Sequence, residues 1–174
     1  NPCTDGQDPI IRMKVRLVDG ASGYILWTGV LERELFDLEL EQLAQMTEAA
    51  EDMWEAAVGT EVWSLASVVI GGSSSGNSIR WSNNFEDETG YDGVSTLAIT
   101  IRYQQGPYFV KTEIILNGGL SILRNNTNNY LFKTIVHELG HTIGLGHSDS
   151  QAIMAPYISG IGTLTDDDIA GMNA

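Results

Sequence analysis

His137-Glu138-Leu139-Gly140-His141-Thr142-Ile143-Gly144-Leu145-Gly146-His147 holds all three histidines of the chain. His137 and His141 are four residues apart, so on an α-helix they stand one above the other on a single face. Two imidazoles so placed can grip one metal ion from the same side. Glu138 lies beside them, where a carboxylate can take a proton from a water on that ion. A straight helix cannot bring His147 round to the same point. Gly144 supplies the bend, because glycine reaches positive φ at little steric cost. Three histidines with one position left open is the pattern of catalytic zinc; structural zinc is closed by four protein ligands. A lone histidine is most often an ordinary core or surface residue, but that reading does not explain three at ligand spacing.

Around this stretch, 174 residues with 43% apolar content suit one domain, read as 1–174, with a sizeable core. No apolar run approaches the ~20 residues of a membrane span, so no membrane is expected as a partner. No signal peptide is visible, and any targeting segment would have been removed before this numbering begins. The net charge of -14, with nine basic residues, argues against nucleic acid, which needs basic patches. It permits calcium binding, high solubility or a saline habitat. Cys3 is the single cysteine, so no disulfide can form within the chain. Asn125-Asn126-Thr127 is a glycosylation sequon that a plain polar loop explains equally well.

Taken in order, residues 1–9 form an irregular arm. Ile10 to Val18 alternates charged and apolar residues, which predicts a half-buried strand. A turn at Asp19–Gly23 precedes a short second strand, Tyr24–Trp27. From Asp37 to Val58 apolar residues recur at helical steps, with acids including Glu39, Glu41, Glu48, Glu51 and Asp52 on a solvated face. Gly59 suits its end. Strands are predicted at Val62–Ile70, Ile79–Trp81, Val94–Tyr103 and Tyr108–Leu116, the last two paired across Gln104–Pro107. Gly71–Gly76, Asn83–Gly93, Asn117–Gly119 and Asn125–Asn129 read as loops, and the motif helix starts near Tyr130. The fold class is α/β (α+β): a mixed, twisted sheet of about five strands, two long helices and a short C-terminal helix.

The eleven-residue motif, followed by Ser148, resembles the metzincin metalloproteases and their matrixin branch. Ile153-Met154-Ala155-Pro156 is similar to the Met-turn beneath the zinc of that family. Leu164 to Met172 resembles its short C-terminal helix. A weaker likeness lies upstream, where Tyr91-Asp92-Gly93-Val94-Ser95-Thr96-Leu97-Ala98 resembles F-D-G-P-G-G-V-L-A-H-A with one residue fewer. The resemblance implies a metzincin-like catalytic domain, one zinc held by His137, His141 and His147, and Met154 in the Met-turn. It also implies Leu97 and Ala98 at the cleft rim, giving backbone hydrogen bonds to substrate, and secretion as a monomer. The family's structural zinc uses histidines that this chain lacks, so one zinc is expected, not two. Calcium-holding acids are replaced by Asn117-Gly118-Gly119, which leaves Asp87, Glu88 and Asp92 as the calcium candidates; a solvated loop explains them as well. Matrixin precursors are kept latent by a cysteine in P-R-C-G-x-P-D. Pro2-Cys3-Thr4-Asp5 lacks most of that run, and Cys3 is expected to have no catalytic role.

These readings point to a zinc endopeptidase acting on protein or peptide substrates, with Glu138 as general base. Its substrate is an extended chain added to the sheet edge. Side-chain preference comes from a pocket between the motif helix and Ala155–Leu164, and Pro156 is taken as a substrate-binding residue. The short loop Ser159–Gly162 is expected to leave room there for an apolar side chain. The family's M-x-P-x-Y is displaced here, Tyr157 falling one place early, so it is left out of both pocket and metal set. Paired carboxylates for a glycosidase do not stand out, and no free histidine could serve a serine nucleophile. The rival readings are a non-catalytic zinc-binding module, which has no need of Glu138, and a metal-dependent hydrolase of small molecules.

Overall fold

The computed structural model describes residues 10–18, 25–63 and 76–173. Cys3 and the expected turn at Asp19–Gly23 lie outside them, as do residues 64–70 of the expected strand at Val62–Ile70. The described residues fall into two compact units, 10–18 with 25–45, and 46–63 with 76–173.

In the first unit, strands β1 (Ile10–Val18) and β2 (Ile25–Glu34) form an antiparallel hairpin. The second strand is ten residues long rather than the short Tyr24–Trp27 expected. Every residue of β1 finds a partner, from Ile10 opposite Glu34 to Val18 opposite Ile25, and that pairing carries β2 onward. The charged run Glu32-Arg33-Glu34 masked it in the sequence. Helix α1 (Leu35–Val58) follows without a loop, two residues before the expected start. Along α1, Leu43, Thr47, Ala50 and Trp54 are buried at three- and four-residue steps, while Glu41, Glu48 and Asp52 are exposed. Gly59 closes the helix at φ +71°, its N–H donating to Glu55 O at 2.7 Å.

The second unit carries the site. Strands β3 (Ser78–Ser82), β4 (Ala98–Gln105) and β5 (Tyr108–Asn117) form a mixed sheet in the order β3-β5-β4. β5 runs parallel to β3 and antiparallel to β4. As the central strand it is buried on both faces, so Ile114, Ile115 and Leu116 form a run instead of an alternation. The five strands therefore belong to two sheets among the described residues, not to one.

Two local expectations are corrected, and one short helix is added. Val94 to Leu97 is not strand, because Asp92 Oδ1 accepts the N–H groups of Val94 (2.7 Å) and Ser95 (3.0 Å) and holds a turn there. Inside the polar loop 83–93, helix α2 (Phe85–Thr89) forms around the buried Phe85 and ends at Gly90, φ +74°. A further short helix, α3 (Ser121–Arg124), follows the Asn117–Gly119 turn.

The motif helix α4 (Tyr130–Thr142) starts where the sequence places it. Asn126, Asn128 and Asn129 lead into it with positive φ, a conformation asparagine tolerates better than most residues. Asn126 Oδ1 accepts from the N–H groups of Leu131 (3.0 Å) and Phe132 (3.4 Å), which fixes the helix start. Helix α5 (Asp166–Met172) begins with a capping box between Thr165 and Asp168.

Candidate metal centre

The site is built from α4, the bend after it, and the Met154 turn. α4 stops at Thr142, and Gly144 turns the chain at φ +104°. Leu145 N–H bonds back to Gly140 O at 3.1 Å, and Leu145 O in turn accepts from His141 Nδ1 at 2.8 Å. His137 Nδ1 donates to Ile153 O at 2.7 Å. A carbonyl oxygen only accepts, so both histidines carry their proton on Nδ1 and keep a lone pair on Nε2. Burial lowers both from the usual histidine value, His137 to about 4, which keeps the rings neutral near pH 7.

His147 completes the group. The potential ligand atoms of the three rings lie within 4.8 Å of one another, and no other such group of three occurs among the described residues. His141 Nε2 and His147 Nε2 are 3.2 Å apart. Two nitrogens on a tetrahedral zinc stand about 3.3 Å apart, from bond lengths near 2.0–2.1 Å, so the donor set fits that ion. The two half-buried rings and the exposed His147 leave the group open to solvent on one side.

Glu138 is 5% exposed, and its Oε2 accepts the Thr100 hydroxyl at 2.6 Å. Burial pushes its carboxyl up to about 7, against the pull of that hydroxyl. A cation in the site favours the charged form and draws the value down again.

The turn carrying Met154 lies against the motif helix. A Cβ on Gly140 would collide with Met154 Sδ and stand 3.0 Å from Trp54 Cζ2, so any side chain there forces Met154 to shift. Trp54 also donates to Val136 O at 2.9 Å. Asp168, 2% exposed, holds the turn from the other side by accepting Ile153 N–H (3.1 Å) and Met154 N–H (2.9 Å). Sequence reasoning missed this anchor. The Thr165-x-x-Asp168 capping pattern was its one legible sign.

The remaining predicted residues separate. β4 is a sheet edge among the described residues. Asn117 N–H donates to Leu97 O at 2.9 Å, so that carbonyl is committed inward and is not free for substrate. By antiparallel alternation the backbone groups of Ala98 and Thr100 point away from β5, toward the open edge. Pro156 and Tyr157 are exposed just after the Met154 turn. The expected roomy pocket is not formed. The cavity beside His137 measures about 10 Å³ and is lined by residues including Lys133, Ile158 and Ile161, with Lys133 Nζ donating to Ser159 O at 3.4 Å.

Asp87, Glu88 and Asp92 do not converge as metal ligands. Glu88 accepts from Arg80 at 2.8 Å, which lowers its pKa, and Asp92 is occupied by its own turn. Asn117 Nδ2 ties that turn to β5 through Gly93 O (2.8 Å) and Thr96 O (2.9 Å).

An open three-histidine group lies beside a buried carboxylate on a helix packed against a mixed sheet, the donor set of a metal site with one position left free. A family model described as Matrixin matches residues 34–174, and the chain belongs to that family of zinc-dependent proteases. Over 53 residues it is 47% identical to matrix metalloproteinase-16 of Rattus norvegicus, Homo sapiens and Mus musculus. That match covers 28% of this chain and 9% of each relative's length.

Proposed function

We propose that this chain is a zinc-dependent endopeptidase that hydrolyses internal peptide bonds of extended polypeptides. The convergence of His137, His141 and His147 beside the buried Glu138 carries this reading. His137, His141 and His147 would hold one zinc through Nε2. When bound, zinc supplies a Lewis acid that acidifies water and polarises a carbonyl. Glu138 serves as general base and then returns the proton to the leaving amine. Its Oε2 is engaged by Thr100, while Oε1 has no protein partner among the described residues and is the oxygen that takes the proton.

The substrate lies along β4 as an added strand, received by the outward backbone groups of Ala98 and Thr100. Leu97 contributes at the rim through its half-buried side chain. Pro156 offers an exposed contact just after the Met154 turn, and the narrow cavity beside His137 favours small side chains over the large apolar ones expected from the loop length. The partner is a protein or peptide, met as a secreted monomer. Zinc is the one metal in this reading, since Glu88 and Asp92 already have partners.

Glu138→Ala should keep the zinc and lose most peptide cleavage, because it removes the base but no ligand. His141→Ala should lose both. Full proteolysis by Glu138→Ala would overturn the reading.

A further inference from the structure

Thr100 stands at a junction that no motif in the sequence marks. Along β4 the side chains of Ala98, Thr100 and Arg102 share one face by strand alternation. On that face Thr100 Oγ1 reaches Glu138 Oε2 at 2.6 Å, and Arg102 reaches His141 O at 3.5 Å. The Thr100 hydroxyl also lies 3.2 Å from the main-chain oxygen of Glu138. A hydroxyl has one proton to give, and the shorter, charge-assisted contact takes it. The pairing of Leu97 O with Asn117 N–H sets the phase of the ladder, so Thr100 turns its own N–H and C=O to the open edge.

We propose that Thr100 is a positioning residue for the reaction. Its hydroxyl holds Glu138 Oε2 and leaves Oε1 to take the proton, while its backbone receives the substrate strand. One residue of the edge strand thus sets both the general base and the peptide bond presented to it. This inference rests on the peptidase reading above.

The geometry separates the two duties. Thr100→Val keeps the strand and its backbone donors and removes only the hydroxyl, whereas Thr100→Ser keeps the hydroxyl. With zinc content and thermal midpoint monitored, kcat of Thr100→Val should fall by about tenfold or more while KM stays within about twofold. Thr100→Ser should recover most of that loss, and Thr100→Ala, a second variant without the hydroxyl, should repeat it. Crystal structures of the wild type and Thr100→Val should show the Glu138 carboxylate turned away from position 100 in the variant. A kcat within about twofold of wild type for Thr100→Val, or a loss that serine does not recover, overturns the proposal. An unmoved carboxylate overturns it as well. Wild-type protein that binds zinc and cleaves no peptide removes the peptidase reading, and the crystallographic comparison still decides whether the hydroxyl sets the carboxylate.

Discussion

Asp168→Ala should cost a large share of the domain's stability. The carboxylate is buried and accepts from Ile153 N–H, Met154 N–H, Thr165 N–H and the Thr165 hydroxyl, at 2.8–3.1 Å. Alanine leaves the first two donors buried without an acceptor, at about 1–3 kcal/mol each. It also dismantles the cap of α5, worth about 1 kcal/mol. The expected loss is about 5 kcal/mol in all, and a domain of this size drops about 2–4 °C per kcal/mol. The melting midpoint should therefore fall by about 10–20 °C. Asp168→Asn keeps one acceptor oxygen and should fall by roughly half as much. The effect should reach the metal, because Ile153 O fixes the ring of His137. Zinc affinity should drop about 10–100-fold, the usual effect of losing a group that orients a ligand. Thermal melts by circular dichroism on metal-free protein, with competitive zinc titration, provide both readouts. An Asp168→Ala midpoint within about 2 °C of wild type would refute the anchoring argument.

Gly140→Ala should destabilise by about 1–3 kcal/mol, since the new methyl meets Met154 Sδ and Trp54; urea denaturation of the variant checks it, and an unchanged midpoint would contradict it. In metal-free protein, His137 stays neutral down to about 4 while its unfolded counterpart protonates near 6.5. Through His137 the unfolded chain thus binds one more proton in that window, so this residue's contribution to stability is full above pH 6.5 and declines as pH falls toward 4, by on the order of 3 kcal/mol, while the raised Glu138 acts in the opposite sense. Denaturation of metal-free wild type and His137→Gln across that range isolates the effect: as pH falls the wild type should lose stability relative to the variant, and parallel pH profiles would contradict it.

The site was more legible than its surroundings for a physical reason. Metal ligation demands particular residue types at fixed spacing, so the three histidines and Glu138 declared themselves in sequence. Gly144 was equally plain, since a bend of positive φ needs glycine. Strand boundaries were not, because pairing decides them. β2 extends to Glu34 through its register with β1, and β4 starts late because Asp92 builds a turn. The supports of the site, Thr100, Asp168 and Trp54, act across 38, 14 and 82 residues of sequence, and no local pattern reports such contacts. The cavity beside His137 failed as an inference from loop length, because its volume depends on where Lys133, Ile158 and Ile161 come to rest.

The central claim is a single zinc held by three imidazoles with one position open. X-ray absorption at the zinc edge, with metal content per chain measured on the same sample, tests it most directly. The account predicts one zinc per chain with three nitrogen neighbours and one oxygen at about 2.0–2.1 Å. Two zinc ions per chain, or a fourth ligand from the protein in place of that oxygen, would contradict it.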